Sequence, residues 1–160
     1  MGPPRTAQPL LLTELLSADR IKIPLEATSK DQLLRELVEV VINPDDGVSG
    51  EEILRAVAER EAVLSTGIGQ GVAIPHGKSA ALSELRIAAG RTSDPVDFDA
   101  LDGRPVSLFF LLVGPESEAG AHIRALSRIS RLVRRDDVRE RLLTAPDAAA
   151  FLAALHEAEN

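Results

Sequence analysis

His76 is the residue whose type and setting could support covalent chemistry. It follows an apolar run at residues 72–74 and Pro75, and it precedes Gly77 and Lys78. A neutral imidazole is a competent nucleophile near pH 7, and its ring can carry a phosphoryl group. That chemistry needs one ring nitrogen open to a partner and the other held by an acceptor that fixes the tautomer. A loop histidine without a role is the alternative interpretation.

Three other side chains could assist His76. Lys78 adds a positive charge, and the neighbouring glycines leave backbone N–H groups free to approach phosphate oxygens. His122 falls in the first turn of a predicted helix, on its apolar face, where it could equally be a core or capping histidine. Arg60 ends another predicted helix sixteen residues before His76, where a cation also complements the helix dipole.

Glycines at positions 67, 69 and 71 raise the alternative of a nucleotide-binding loop. A P-loop requires G-x-x-x-x-G-K-[ST], but the residue five before Gly77 is Val72. The dinucleotide fingerprint G-x-G-x-x-G fails at Val72 as well, since that position would have to be glycine. The sequence therefore disfavours a nucleotide-binding enzyme.

The elements that must position these residues alternate between helices and strands. Capping boxes at Ser29 and Ser49 begin helices that end near Val41 and Glu61. Pro75 lacks an N–H and is expected to stop the strand before it, which places His76 in a loop at the carboxyl end of that strand. Further helices are predicted at residues 10–16, 119–134, 136–143 and 147–155, and strands at residues 21–23, 72–74, 85–90 and 106–113.

This order of elements predicts an α/β fold: a three-layer domain with a mixed, mainly five-stranded β-sheet flanked by helices on both faces. We expect a flexible N-terminus at residues 1–9, a single domain at residues 10–156 and a C-terminal tail at residues 157–160. The length of 160 residues suffices for one such domain with its own core.

Composition restricts the partners and cofactors. The formal charge of −7 repels phosphate backbones, so we expect no nucleic-acid binding. The chain has no cysteine, which excludes a thiol nucleophile and a Cys-ligated zinc site, and we expect neither a metal nor a cofactor. No apolar run approaches the ~20 residues that span a bilayer, so we expect no direct membrane insertion. The absence of cysteine fits a reducing compartment, and we expect a cytoplasmic location.

A stripe of arginines follows His122 along the predicted helix at residues 119–134 and ends at residue 135, just beyond it. Arg124, Arg128, Arg131 and Arg135 recur at helical spacing on one face. Such a charge run is usually a solvated face. The alternative is a docking surface for an acidic partner.

Four segments together resemble a known protein family. Residues 60–77, REAVLSTGIGQGVAIPHG, resemble the active-site signature of phosphotransferase-system IIA components of fructose/mannitol type, a family that includes a nitrogen-regulatory branch. Residues 95–106, 110–113 and 122–126 are similar to the family as well. The resemblance extends over roughly residues 10–156.

The resemblance implies a phosphohistidine relay. His76 would be phosphorylated, His122 would be the second active-site histidine, and Arg60 would lie near the phosphoryl group. The donor would be an HPr-type phosphocarrier protein charged from phosphoenolpyruvate, and the acceptor a IIB component or a regulated protein.

Two functions share this chemistry. We expect no attached IIB or membrane domain, and the Gly-Ile-Gly-Gln-Gly loop resembles the nitrogen-regulatory branch. We therefore predict a regulatory phosphocarrier, with a phosphoryl-transfer component of a fructose/mannitol-type sugar uptake system as the alternative.

Overall fold

The computed structural model describes residues 11–160. The flexible N-terminus predicted at residues 1–9 lies outside the described residues. The helices are α1 (Leu12–Leu15), α2 (Lys30–Val41), α3 (Gly50–Val63), α4 (Ala119–Arg134), α5 (Asp136–Thr144) and α6 (Ala148–Glu159). The strands are β1 (Ile21–Leu25), β2 (Gly67–Gly69), β3 (Val72–Ala73), β4 (His76–Lys78), β5 (Arg86–Val96) and β6 (Val106–Gly114).

Local capping explains where the first long helices begin. The side chain of Ser29 accepts the N–H of Gln32 at the start of α2. Ser49 accepts the N–H of Glu52 at the start of α3 in the same way. Each hydroxyl satisfies a backbone donor that the first helical turn leaves without a partner, and both predicted helix starts are confirmed.

The sheet is mixed and centres on β6. Its strand order is β1-β5-β6-β3-β2, and β4 also pairs with β6. Strand β5 runs antiparallel to β6, whereas β3 and β4 run parallel to it. Side chains of β6 alternate between two cores, as the period of a strand requires: one set is Leu108, Phe110 and Leu112, and the other is Phe109, Leu111 and Val113.

Helices cover both faces of this sheet. The core that contains Phe110 is closed by apolar side chains of α1, α4, α5 and α6, such as Ile129 and Phe151. The opposite core, which contains Phe109, is closed by α2 and α3 through residues such as Leu37 and Val57. The predicted three-layer α/β fold is thereby confirmed.

Strands β3 and β4 form one line that is interrupted at Pro75. Val72 pairs with Leu108 and His76 pairs with Leu112, so the offset of 36 residues is the same on both sides of the proline. The carbonyl of Pro75 still accepts the N–H of Leu112 at 3.0 Å. The sheet therefore has six strands in five positions among the described residues, because β3 and β4 share one position. The five positions agree with the predicted, mainly five-stranded sheet.

The placement of His76 in a loop is wrong. His76 is the first residue of β4. Pro75 removes one donor from the ladder, but hydrogen bonds from β6 hold the chain in register beyond it. Sequence reasoning predicted the local effect of Pro75, whereas the long-range pairing with β6 determines the conformation.

The tail predicted at residues 157–160 is wrong for its first three residues, because α6 continues to Glu159. The side chain of Glu159 is 1% exposed and forms an ion pair with Arg128 at 2.7 Å. Its carboxylate also accepts the backbone N–H groups of Leu12 and Thr13. These contacts fasten the end of α6 to α1 and α4.

Within residues 11–160 no helix has both the length and the hydropathy that crossing a bilayer requires.

Candidate functional site

The alternation of side chains along β3 and β4 determines which face of the sheet His76 occupies. Val72 and Ile74 belong to the core beneath α4, whereas Ala73 belongs to the core beneath α3. Because side chains alternate with a period of two, His76 lies on the α4 side and Gly77 on the α3 side. The register with β6 thus presents the imidazole to α4.

Gly77 allows α3 to approach the sheet closely at this point. A Cβ atom at Gly77 would lie 3.0 Å from the backbone nitrogen of Val57 and 3.1 Å from the carbonyl carbon of Ala56. Both are backbone atoms of α3, which have little freedom to move. The sequence suggested that this glycine frees backbone N–H groups, but its contacts indicate a packing role.

Nδ1 of His76 lies 2.9 Å from the carbonyl oxygen of Ile74. A carbonyl oxygen only accepts, so Nδ1 carries the proton and Nε2 carries the lone pair. Burial lowers the pKa of His76 below its usual value, and the nearby charge of Arg60 acts in the same direction, while the bond to Ile74 opposes them. The half-buried ring is consequently neutral at pH 7.

His122 lies beside His76. The ring centroids are 5.6 Å apart and the ring planes are inclined by 66°. His122 is 4% exposed, and burial, followed by the proximity of His76, lowers its pKa to about 4. Within residues 11–160 its Nδ1 is buried without a hydrogen-bond partner, an arrangement that costs free energy until a ligand or water supplies one.

Two cations lie near the imidazoles, and the charges of Glu61 and Glu116 partly oppose them at His76 and His122 respectively. Arg60 donates to the carbonyl oxygen of Leu64 at 2.8 Å, which holds its guanidinium at the end of α3. Its charge is close enough to lower the pKa of His76. Lys78 follows two residues after His76 and forms a long, exposed ion pair with Glu116 at 3.6 Å. The charge of Lys78 lowers the pKa values of both histidines.

A buried carboxylate supports the segment that leads into β2. Glu61 is 5% exposed and accepts the N–H of Thr66 with both carboxylate oxygens, at 3.1 and 3.0 Å. It also accepts the hydroxyl of Thr66 and forms an ion pair with Lys30 at 2.8 Å. These contacts tie α2, α3 and the chain before β2 together.

Sequence reasoning assigned Glu61 no role apart from its place in the family signature. Lys30 and Glu61 are distant in sequence, so no local pattern pairs them. A carboxylate at the end of an amphipathic helix is usually solvated. The position of Glu61 next to Arg60 is the one feature of the sequence that points to a role for it.

The β2–β3 turn is held by a second carboxylate. Gln70 adopts a φ of 58°, and the adjacent glycines 69 and 71 also have positive φ values. Asp102 accepts the N–H of Gln70 at 3.0 Å and that of Arg104 at 3.0 Å. The glycine spacing noted in the sequence therefore belongs to a tight hairpin turn, which packs on the segment at residues 101–105.

The arrangement suits transfer of a compact anion to a nitrogen nucleophile. Nε2 of His76 has a lone pair, a second imidazole lies beside it, and cations stand nearby to neutralise developing charge. Of the predicted site residues, the structure places His76 and His122 together and Arg60 within electrostatic range of His76. No cluster of His, Asp or Glu suited to a metal ion occurs among residues 11–160.

Comparison with protein families gives one match that covers most of the chain. The family described as "Phosphoenolpyruvate-dependent sugar phosphotransferase system, EIIA 2" matches residues 14–158.

The relatives include a sugar-specific component and a nitrogen regulatory protein. A fructose-specific EIIABC component of Bacillus subtilis is 38% identical over 141 residues, which are 88% of this chain and 22% of that protein. A nitrogen regulatory protein of Bradyrhizobium diazoefficiens is 36% identical over 144 residues, which are 90% of this chain and 94% of that protein. The chain thus spans about a fifth of the first relative and nearly all of the second.

A solved structure gives the same result. The nitrogen regulatory protein IIA-Ntr from Neisseria meningitidis superposes with a TM-score of 0.84 at 37% identity, covering 90% of this chain and 98% of that one.

Proposed function

Because the chain belongs to the EIIA 2 family of the phosphoenolpyruvate-dependent sugar phosphotransferase system, we propose that it carries a phosphoryl group on His76. In this proposal, Nε2 of His76 takes the group from a phosphohistidine of an HPr-type phosphocarrier protein. The bond between phosphorus and the donor nitrogen breaks as the bond to Nε2 forms. The group then passes to a IIB component, or the phosphorylated state is recognised by a regulated protein.

One observation carries this proposal: the hydrogen bond between Nδ1 of His76 and the carbonyl of Ile74, at 2.9 Å. It holds the ring in the tautomer whose Nε2 is nucleophilic, and β6 holds the backbone on which the ring stands. Phosphoryl transfer between two histidines depends on positioning and charge neutralisation. A neutral, oriented imidazole beside cations meets both requirements.

His122 and Arg60 have supporting roles in this proposal. His122 donates its Nδ1–H to a phosphoryl oxygen, which gives that buried nitrogen the hydrogen-bond partner it lacks. Arg60 neutralises charge that develops on the phosphoryl group. Neither residue forms a covalent bond, so each affects the rate of transfer and not its occurrence.

Exposed apolar side chains beside these residues support docking of a protein donor. Val63 and Leu64 follow Arg60 at the end of α3 and are 81% and 57% exposed. Ile123 follows His122 and is 65% exposed. Apolar residues grouped around a reactive histidine are typical of a protein–protein interface.

Of the two biological roles, we favour regulation through the phosphorylation state of the protein. It is supported by the similarity to the nitrogen regulatory proteins of Bradyrhizobium diazoefficiens and Neisseria meningitidis. Delivery of phosphoryl groups to a sugar uptake system is the second candidate, which the fructose-specific relative of Bacillus subtilis supports. Both roles place the protein in the cytoplasm, where phosphoenolpyruvate is made.

The experiment is incubation with phosphoenolpyruvate and the two general phosphotransferase proteins, followed by intact-mass measurement. We expect an acid-labile gain of one phosphoryl group, and no gain in His76→Ala. His156→Ala, which removes an exposed imidazole on α6, is the matched control and should be phosphorylated like the wild type. Phosphorylation of folded His76→Ala would refute the assignment.

A further inference from the structure

The exposed face of α4 is basic in a chain whose net charge is negative. Residues 119–135 contain five arginines and no Asp or Glu, while the whole chain has a formal charge of −7. Arg128 pairs with Glu159 and Arg135 pairs with Asp137. The other three, Arg124, Arg131 and Arg134, are exposed and have no ion-pair partner in the described part of the chain.

A groove adjoins this face at the C-terminal end of α4. It has a volume of about 820 Å³ and lies between α4 and the β2–β3 hairpin. Arg134 and Arg104 line it from α4 and from the segment after Asp102, and Ile68, Val72 and Val133 supply apolar lining. The groove therefore combines two guanidinium groups with an apolar surface.

The acidic residue in the groove is already engaged. Asp102 lines the groove, and its two carboxylate oxygens accept the backbone N–H groups of Gln70 and Arg104. These bonds lower the pKa of Asp102 and fix its orientation toward the backbone. The side chain of Arg104 forms no ion pair within residues 11–160, so two arginines of the groove remain available to a ligand.

We propose that this groove and the adjoining arginines of α4 bind a short acidic segment of a partner protein. Carboxylates of the segment pair with Arg104, Arg131 and Arg134, and an apolar side chain enters the lined part of the groove. A short segment experiences mainly the local positive charge, because screening limits electrostatic forces to about 8–10 Å in physiological salt. A long polyanion such as DNA would meet the net negative charge of the whole chain.

The shape of the groove favours a polypeptide over a membrane. A concave cleft between a helix and a hairpin accommodates an extended chain, whereas a flat bilayer would contact only its rim. The apolar lining also suits a protein side chain next to carboxylates.

The groove lies away from the proposed phosphorylation site. Arg134 is twelve residues after His122 on α4, which corresponds to about 18 Å along the helix. A partner in the groove therefore leaves His76 uncovered. The groove is nevertheless connected to His76, because Val72 lines it and the carbonyl of Ile74, two residues later, holds the imidazole. This part of the inference rests on the proposed function: the groove suits a target that responds to the phosphorylated state without accepting the group.

The test is a titration of the ¹⁵N-labelled chain with the synthetic peptide acetyl-EELEELEE-amide, monitored by NMR. We expect shifts confined to backbone amides of residues 68–72, 102–104 and 130–134, which weaken as salt is raised. Arg134→Glu should reduce the affinity about fivefold or more, since it removes one favourable pair and adds a repulsive one. Arg55→Glu is the matched control, because Arg55 is also an exposed helical arginine without an ion pair among the described residues.

Three results would overturn the inference. The first is the absence of NMR shifts at the groove residues. The second is equal shifts from a peptide in which every Glu is replaced by Gln. The third is failure to bind the peptide together with binding to phosphatidylserine vesicles, if Arg134→Glu abolishes the vesicle binding. Phosphorylation of the same wild-type sample by the donor protein separates the two proposals. If the protein is phosphorylated but does not bind the peptide, only the docking proposal is refuted. If it binds the peptide but is not phosphorylated, only the carrier role is refuted.

Discussion

The carbonyl oxygen of Ile74 and Nδ1 of His76 lie 2.9 Å apart, although only Pro75 separates the two residues in the chain. Residues two apart on a strand face the same side, so the backbone of one can orient the ring of the other. The contact requires no distant partner for the imidazole. It depends only on the backbone conformation at residues 74–76, which the pairing of β4 with β6 stabilises.

This contact predicts which nitrogen is modified. Nδ1 is engaged as a donor, so the phosphoryl group should attach to Nε2. Two-dimensional ¹H–¹⁵N spectra of the phosphorylated protein distinguish the two isomers. Attachment at Nδ1 would mean that the bond to Ile74 breaks during transfer, which contradicts the proposed role of that bond.

Substitutions at His122 and Arg60 should slow phosphorylation without abolishing it. Loss of one donor to a developing negative charge costs about 10²-fold in rate in comparable sites, so His122→Ala should fall in that range. His122→Gln retains an N–H donor and should recover part of the rate. Rapid-quench measurements with saturating donor would show this, and an unchanged rate in His122→Ala would remove that residue from the mechanism.

Arg60→Gln serves as the second probe of the same step. It removes the positive charge near His76 together with the bond to the Leu64 carbonyl. We expect a rate loss of about tenfold or more and a loss of stability below about 1 kcal/mol, because the bond to Leu64 is exposed. Arg60→Lys retains the charge and should be faster than Arg60→Gln.

The stability of the fold should fall as the pH is lowered from 7 to 5, because His122 is buried in the folded protein. His122 has a pKa of about 4 in the folded protein and about 6.5 in the unfolded chain. Between these values the unfolded chain binds a proton that the folded protein does not, so stability is full above pH 6.5 and is lost as the pH falls toward 4. For His122 the loss is about 2 kcal/mol between pH 7 and pH 5.

The lowered pKa of His76 acts in the same direction. Urea unfolding at pH 7 and pH 5 measures the difference, with His156→Gln as the control. His122→Gln should reduce the pH dependence by about 2 kcal/mol. An unchanged dependence in that variant would show that folding does not lower the pKa of His122.

Gly77→Ala should destabilise the protein through α3. The added Cβ would lie 3.0 Å from the backbone of Val57, and overpacking of this kind costs about 1–3 kcal/mol. Gly120→Ala on α4 is the matched control, because its Cβ would meet nothing nearer than the end of Arg124 at 4.0 Å. That variant should be as stable as the wild type or up to about 0.5 kcal/mol more stable. Thermal unfolding of both variants gives the comparison.

Glu61→Gln should be costly because it leaves Lys30 without its nearest carboxylate. The Lys30 side chain is 21% exposed and that of Glu61 is 4% exposed, so water compensates poorly for the lost pair, and we expect a loss of about 2–3 kcal/mol. The exposed pair of Arg35 and Glu51 is the control, and Glu51→Gln should change stability by less than about 0.5 kcal/mol.

A double-mutant cycle separates the pair from other effects of Glu61. Lys30→Met removes the half-buried positive charge, so the combination Lys30→Met with Glu61→Gln should cost less than the sum of the two single variants. Additive losses in urea unfolding would show that the two side chains are not coupled.

The features that the sequence predicted correctly are those with local causes. The caps at Ser29 and Ser49 act within three residues, and the apolar run predicted as a strand at residues 106–113 forms β6. His76 stood out by its chemical type and its position after Pro75. The resemblance to a family added His122 and Arg60.

The features that the sequence could not predict involve residues distant along the chain. The pairing of β4 with β6, the ion pair of Lys30 with Glu61, and the bond from Arg128 to Glu159 each join separate elements. A local pattern therefore misjudged His76 as a loop residue and residues 157–159 as a tail. The arginine stripe illustrates the same limit, because Arg128 belongs to a buried contact while its neighbours stay exposed.

The unbroken offset between β3–β4 and β6 has a consequence for how this part of the chain can change in length. Deleting or inserting one residue between Val72 and His76 would turn the imidazole toward α3, where only a glycine fits, and would bring that glycine to the α4 side. A change of two residues would keep the correct side but would shift the ring about 6–7 Å along the sheet. Relatives that keep this histidine should therefore vary freely in the hairpin tip, while the segment from Val72 to His76 keeps a fixed length.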